Sequence, residues 1–185
     1  MSKINLPCII LAGGKSSRMK QDKALLSFEK SDSLAKHVYH NMCDLFEKVY
    51  ISCKADKFDF KAPLILDESS TYAPTIALEA ILKQFNGHVF IIAVDMPFVS
   101  KETVMTLYDA IAPTKIVIAK EGETSHNMCG FYHSDLIPSL QIAIQKEQHA
   151  LHRLLRGYGA IYVDIDDHRS FTNLNTPEEY QEALK

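Results

Sequence analysis

A chain of 185 residues, 46% hydrophobic and 23% charged, has the composition of an ordinary globular protein with enough length for a substantial core. Its formal charge of −3 excludes broad, sequence-blind nucleic-acid binding, and no apolar stretch approaches the roughly 18 residues of a membrane span or forms a signal peptide. Cys8, Cys43, Cys53 and Cys129 show neither C-x-x-C pairing nor zinc spacing, so the expectation is a single reduced, cytoplasmic domain over residues 1–185, engaging neither membrane nor nucleic acid.

The first predicted element is a strand, the apolar run Leu6 to Leu11. It ends at Gly13 and Gly14, and the cations Lys15, Arg18 and Lys23 follow. Glycines let a backbone approach a ligand closely and present its N–H groups, and nearby cations offset phosphate charge. Such a loop at a strand exit is a candidate triphosphate site. Two common phosphate loops do not fit. Gly14-Lys15-Ser16 supplies the second half of a P-loop, but the earlier glycine position is Ile9. A dinucleotide fingerprint needs a third glycine, and none follows Gly14 until Gly87.

Leu34, Val38, Met42 and Leu45 then recur at helical spacing, with Asp32 or Ser33 as the cap. Val49 to Cys53 and Pro63 to Leu66 read as strands. Leu78, Ile81, Leu82 and Phe85 give a second helix an apolar face, with Gly87 ending it. His88 to Val94 is a nearly continuous apolar run of buried-strand character. Ser100 caps a third helix carrying Val104, Leu107, Tyr108 and Ile111, stopped by Pro113. Lys115 to Ala119 and Asn127 to His133 follow as strands, then helical stretches at Leu136 to Gln145 and Leu151 to Leu155, then a strand at Ala160 to Ile165. Thr176-Pro177-Glu178-Glu179 combines a capping threonine, proline at the first helical position and a capping-box glutamate.

Strands alternating with amphipathic helices predict an α/β fold with a mainly parallel sheet covered on both faces. Ligands of such sheets sit beyond the carboxyl ends of strands near a topological switch point. The Gly-Gly loop, Asp67 and Asp95 each fall just past a predicted strand end. A carboxylate at the mouth of a buried strand is costly unless paired or bound to a cation, and magnesium favours one or two carboxylates plus substrate phosphates. Asp95 therefore reads either as a metal ligand or as a turn residue near the Ser100 helix. Asp67 alone is an ordinary strand-end aspartate.

The segment from Leu11 to Lys23 resembles the signature of the molybdenum cofactor guanylyltransferases, Leu-Ala-Gly-Gly-x-Ser-x-Arg-Met-Gly-x-Asp-Lys. Leu11, Ala12, Gly13, Gly14, Ser16, Arg18, Met19, Asp22 and Lys23 match in register, and Lys20 stands where the family usually has glycine. Asp95-Met96-Pro97 resembles the family's metal-binding motif, and Asn173-Leu174-Asn175-Thr176-Pro177-Glu178-Glu179 resembles its Asn-x-Asn-Thr-Pro-Glu-Glu segment. Two places depart. Ser52 stands where some relatives carry a nucleotide-contacting asparagine, and Ala73-Pro74-Thr75-Ile76-Ala77 replaces the usual Gly-Pro-Leu-Ala-Gly. His37 and His40 share a helix face, but two residues make no metal site.

The resemblance implies the Rossmann-like fold of nucleotide-diphospho-sugar transferases. It implies GTP over Leu11 to Gly14, with Asp67 and Lys23 contacting the nucleotide, Arg18 and Lys23 neutralising the triphosphate and leaving pyrophosphate, and Asp95 binding both nucleotide and Mg2+. It places Asn173 and Asn175 beside the second substrate. The implied reaction carries GMP from GTP to molybdenum-molybdopterin, with the product passing to molybdoenzyme-maturation proteins. Leu-Ala-Gly-Gly, rather than the Leu-Ala-Ala-Gly of cytidylyl relatives, favours GTP. The alternatives are a CTP-dependent molybdopterin cytidylyltransferase, a sugar-phosphate nucleotidyltransferase, and a non-catalytic nucleotide- or cofactor-binding protein on the same fold.

Overall fold

A computed structural model describes residues 2–14, 21–67, 69, 71, 73–111 and 116–184. In chain order the strands and longer helices are β1 (Ile4–Leu11), α1 (Leu34–Leu45), β2 (Phe46–Cys53), β3 (Leu64–Leu66), α2 (Pro74–Leu82), β4 (His88–Ala93) and α3 (Lys101–Asp109). They continue as β5 (Val117–Glu121), β6 (Thr124–His133), α4 (Ile137–Gln145), α5 (Leu151–Tyr158), β7 (Ile161–Asp164) and α6 (Pro177–Ala183). Among the described residues the strands form one seven-stranded sheet in the order β3-β2-β1-β4-β6-β5-β7.

The sheet is mostly parallel, as the alternation of elements predicts. β1 pairs in parallel with β2 and β4, β2 with β3, and β5 with β7. β6 is the departure, antiparallel to both β4 and β5. Its direction follows from its connection: only Gly122 and Glu123 separate β5 from β6, and a link that short reverses the chain. Gly122 sits at φ +55, a value that favours glycine in such a turn.

Alternation along the central strands divides the core between the two faces. Cys8, Ile10, Phe90 and Ile92 point to one side, where Leu34, Val38 and Met42 of α1 and Val104 and Leu107 of α3 cover them. Ile9, Val89 and Ile91 point to the other, packing with Leu78, Ile81 and Leu82 of α2, Leu140 of α4 and Leu151 and Leu155 of α5. Phe46 and Phe90 stack with centroids 5.3 Å apart and planes 16° from parallel. Where β6 pairs with β5, a Cβ on Gly130 would lie 2.3 Å from the Val117 carbonyl oxygen, so no larger residue fits without moving a strand.

Helix ends follow local chemistry. The Ser33 hydroxyl accepts from the Lys36 amide and caps α1, while Asp32 pairs with the Lys36 ammonium instead. Ser100 caps α3 in the same way, and the Thr176–Glu179 capping box is complete at α6. Two predicted helices are shorter than their apolar spacing suggests. α2 starts at Pro74 and stops at Leu82, and Phe85 packs edge-on against Tyr50 from outside the helix, well before Gly87. α3 stops at Asp109, leaving Tyr108 on the exposed side and Ile111 beyond the end. Pro113 and Lys115 lie outside the described residues.

The order β3-β2-β1-β4 puts the reversal of strand order between β1 and β4. β1 connects to β2 on one side and finds β4 on the other, so the crossovers leave the sheet in opposite directions there. A crevice opens at their carboxyl ends.

Candidate active site

A cavity of about 450 Å3 occupies that crevice. Leu11, Ala12, Gly13 and Gly14 form its floor where β1 ends, with Ala93, Val94 and Asp95 beside them where β4 ends. Two backbone bonds hold these exits together. The Ala12 amide donates to the Ser52 carbonyl at 2.8 Å, and the Val94 amide donates to the Leu11 carbonyl at 3.0 Å. Gly13 and Gly14 keep the floor low, and nothing lies within 4 Å of the position a Cβ on Gly14 would take. That backbone is open to a ligand.

Lys23 and Asp95 meet across the cavity mouth. The Lys23 ammonium donates to the Asp95 carboxylate at 3.1 Å and to the Asn175 side-chain oxygen at 2.8 Å. Both partners of the ion pair are mostly buried, with side-chain exposures of 14% and 23%. Three sequence motifs thus converge on one ammonium group. Lys23 sits at the start of a single helical turn, Lys23–Leu25, capped by the Asp22 carboxylate, which accepts from the Ala24 amide at 3.0 Å. Asn175 is held from behind: its amide donates to Glu179 at 2.6 Å, and the Leu174 amide donates to the Asp95 carbonyl at 3.1 Å. The capping box that starts α6 therefore also sets the position of Asn175.

At the other end of the cavity, Asp67 accepts from the Lys54 ammonium at 2.6 Å and from the Ser69 amide at 2.9 Å. Ser52, Ala73, Pro74 and Ala77 line the same end, so two of the departures from the family pattern fall there, while the third, Lys20, lies outside the described residues. Asn173, half-buried two residues before Asn175, is not among the residues lining the cavity. Arg18 lies outside the described residues.

Some residues at the site carry no motif in the sequence. Lys54 follows β2 and lines the cavity, as does Met128 from β6, opposite the end of β4, while Lys57, also after β2, contacts the lining residues Ala12 and Asp22 from outside it. The pairing of β5 with β6 slips between Ile118↔Gly130 and Ala119↔His126, and the extra residues of this bulge include Met128. The two lysines had one usable signal: they lie just past the carboxyl end of the strand next to β1, where open α/β sheets gather ligand contacts.

Burial pushes the Cys129 thiol up to about 12 and the Cys8 thiol well above its ordinary value. Both are structural thiols behind the site. Among the described residues, no group of three or more His, Cys, Asp or Glu side chains stands ready to hold a metal ion. His37 and His40 accordingly form no such centre.

The chemistry of this site is that of an anion cradle facing a carboxylate. Backbone N–H groups at Gly13 and Gly14, with the Lys23 ammonium beside them, suit a phosphate chain. The oxygens of Asp95 and Asn175 already accept one cation, the ammonium, and they are the hard donors that magnesium takes. The donor set fits a magnesium ion completed by substrate phosphates rather than by protein alone.

Comparison with known proteins agrees with this geometry. Residues 8–162 match the family described as the MobA-like NTP transferase domain. A molybdenum cofactor guanylyltransferase of Campylobacter jejuni is 37% identical over 180 residues, 95% of this chain and 94% of that protein. One from Helicobacter pylori is 31% identical, covering 98% of this chain and 92% of its own length. Among solved structures, molybdopterin-guanine dinucleotide biosynthesis protein A of Archaeoglobus fulgidus superposes with a TM-score of 0.82 at 21% identity, covering 97% of both chains. The 2-C-methyl-D-erythritol 4-phosphate cytidylyltransferase of Thermus thermophilus gives 0.73 at 15% identity, over 95% of this chain and 96% of that one. At those identities the superpositions show a shared nucleotidyltransferase fold. With Gly13, Gly14, Lys23, Asp95 and Asn175 lining one cavity, and the match extending over most of its length, the chain belongs to the MobA-like NTP transferase family.

Proposed function

We propose that this protein transfers GMP from GTP to the terminal phosphate of molybdenum-molybdopterin, forming the guanine dinucleotide cofactor and pyrophosphate. The observation that carries the reading is the meeting of Lys23, Asp95 and Asn175 at the glycine-lined exit of β1. Relatives that share nearly the full length of the chain are named for that activity.

In this reading the triphosphate lies along Leu11 to Gly14. Asp67 and the surfaces of Ser52 and Ala73 hold the nucleoside end, and Asn173 and Asn175 face the incoming phosphate. An oxygen of the pterin phosphate attacks the α-phosphorus of GTP, and the bond from that phosphorus to the β-bridging oxygen breaks. Pyrophosphate leaves with the electron pair. Lys23, with Arg18 of the same loop, offsets the charge that gathers on the leaving group. The nucleophile needs no general base, because a phosphate monoester is largely ionised near neutral pH.

Asp95 would hold Mg2+, with Asn175 oxygen beside it, and the ion when bound supplies Lewis-acid polarisation of the phosphates. The Lys23 ammonium donates to those same two oxygens. Arriving phosphates give the ammonium a new partner and free the carboxylate. The protein's own contribution is positioning and a preset electrostatic field, the usual means of phosphoryl-type transfer.

The test is product analysis. Purified protein with molybdenum-molybdopterin, magnesium and each of GTP, CTP, ATP and UTP yields the guanine dinucleotide and pyrophosphate with GTP alone. A cytosine dinucleotide as the main product would replace this reading with the cytidylyl one, and nucleotide binding without any pyrophosphate would replace it with a non-catalytic role.

A further inference from the structure

Lys57 belongs to none of the three motifs, yet it spans the two sides of the nucleotide floor. Its ammonium donates to the Ala12 carbonyl at 3.0 Å and to the Asp22 carboxylate. Ala12 is the last residue before the glycines at the exit of β1, and Asp22 caps the turn that begins with Lys23. Lys57 itself comes from the loop after β2, 45 and 35 residues away from these partners. Its side chain is 23% exposed, buried enough for the pair to be weakly screened.

We infer that Lys57 is a positioning residue that locks the glycine floor to the Lys23 turn, and so sets where the Lys23 ammonium meets the phosphates. The path runs through single contacts. Lys57 fixes the Asp22 carboxylate, whose other oxygen accepts from the Ala24 amide, and that turn carries Lys23 to Asp95 and Asn175. The Ala12 carbonyl is the second anchor, in the floor itself, one residue past the end of β1. A point charge on a flexible stem can reach both acceptors from outside the cavity. Positional errors of about an ångström in such a group cost large factors in rate, which is why an anchor matters here.

The inference rests on the cavity holding a triphosphate, and the experiment separates the two. Inorganic tripolyphosphate serves as the probe, because it reads the phosphate end without base or acceptor. Calorimetry with wild-type protein shows binding, K57M binds roughly tenfold or more weakly, and K57R stays within about threefold because a guanidinium can donate to both anchors. D22N weakens binding by a similar factor, and adding it to K57M costs less than about threefold further, since both break one path. In pyrophosphate release with GTP, K57M lowers kcat by roughly tenfold while KM for the acceptor changes less than about twofold. K57Q, which keeps a neutral N–H donor group without the charge, falls between wild type and K57M and replaces K57M if that variant is poorly folded. Wild-type binding matched by K57M, or K57M and D22N losses that multiply in full, overturns the role of Lys57 alone. No tripolyphosphate binding by wild type overturns the triphosphate reading, and this inference with it.

Discussion

Lys23 and Asp95 are 72 residues apart in the chain and form a 3.1 Å ion pair at the ends of two adjacent parallel strands, with the Asn175 oxygen 2.8 Å from the same ammonium. The sheet order makes this meeting possible. β1 and β4 run side by side, so the residues that follow each strand emerge at one edge. Each partner serves a second purpose there, since a buried lysine and aspartate are both costly alone.

Removing either partner should disable turnover while the fold survives. K23M and D95N are each expected to lower kcat by about two to four orders of magnitude, the range for groups that stabilise developing charge. Circular dichroism should show the wild-type fold, because neither side chain contributes to the apolar core, with the thermal midpoint lowered because the mostly buried ion pair is lost. Activity within about fivefold of wild type in both variants would contradict the assigned roles.

Asn173 and Asn175 should separate kinetically. N175A removes an oxygen that contacts Lys23 and is expected to lower kcat by roughly tenfold or more. N173A is expected to raise KM for the pterin substrate while GTP affinity stays within about twofold, since Asn173 does not line the nucleotide cavity. Initial rates with each substrate varied in turn give both constants.

Glu179 links stability to the site. Its carboxylate accepts from the Asn175 and Thr176 amides, closing the capping box on α6. E179A and T176A are each expected to cost about 0.5–2 kcal/mol in urea unfolding. E179A should also lower turnover toward the N175A level, whereas T176A should leave kcat nearly unchanged.

G130A is expected to destabilise the protein by about 3 kcal/mol or more, because its methyl group would meet the Val117 backbone oxygen at 2.3 Å. A shift in the urea midpoint reads this directly. A variant as stable as wild type would mean that β5 and β6 sit further apart than described.

The Ser100, Thr103, Asp167 and Ser170 cluster predicts a limb of acid sensitivity. The Ser170 hydroxyl, 2.6 Å from the Asp167 carboxylate, holds that carboxyl below its ordinary value, with further help from the Thr103 hydroxyl. A depressed folded value stabilises the protein above the unfolded value of about 3.9, and the benefit fades as pH falls through the folded value. D167N should therefore lose stability at pH 7 and show a shallower decline than wild type below about pH 4, as measured by urea unfolding across that range.

Much of this architecture was legible before any coordinates. β1, the Gly-Gly exit and the caps at Ser33, Ser100 and Thr176 follow from local rules that the fold leaves intact. Asp95 was readable for a related reason: a carboxylate ending a run as apolar as β4 needs a partner. The antiparallel course of β6 was not legible from periodicity, since side-chain alternation looks the same in either direction, and the clue lay in the two-residue link at Gly122. Phe85 and Ile111 extended two helices on paper because apolar spacing does not show where a backbone turns away. Lys54 and Lys57 escaped notice because their meaning depends on which strand neighbours β1, a long-range fact that no short window of sequence contains.

The central claim is that the glycine-lined exit of β1 holds a triphosphate opposite a metal on Asp95. Crystals grown with a non-hydrolysable GTP analogue and Mn2+ test it most directly, since anomalous scattering locates the metal independently of the phosphates. The account predicts a manganese peak bonded to the Asp95 carboxylate, with phosphate oxygens against Gly13, Gly14 and Lys23. Nucleotide bound elsewhere, or manganese away from Asp95 in a nucleotide-loaded crystal, would contradict it.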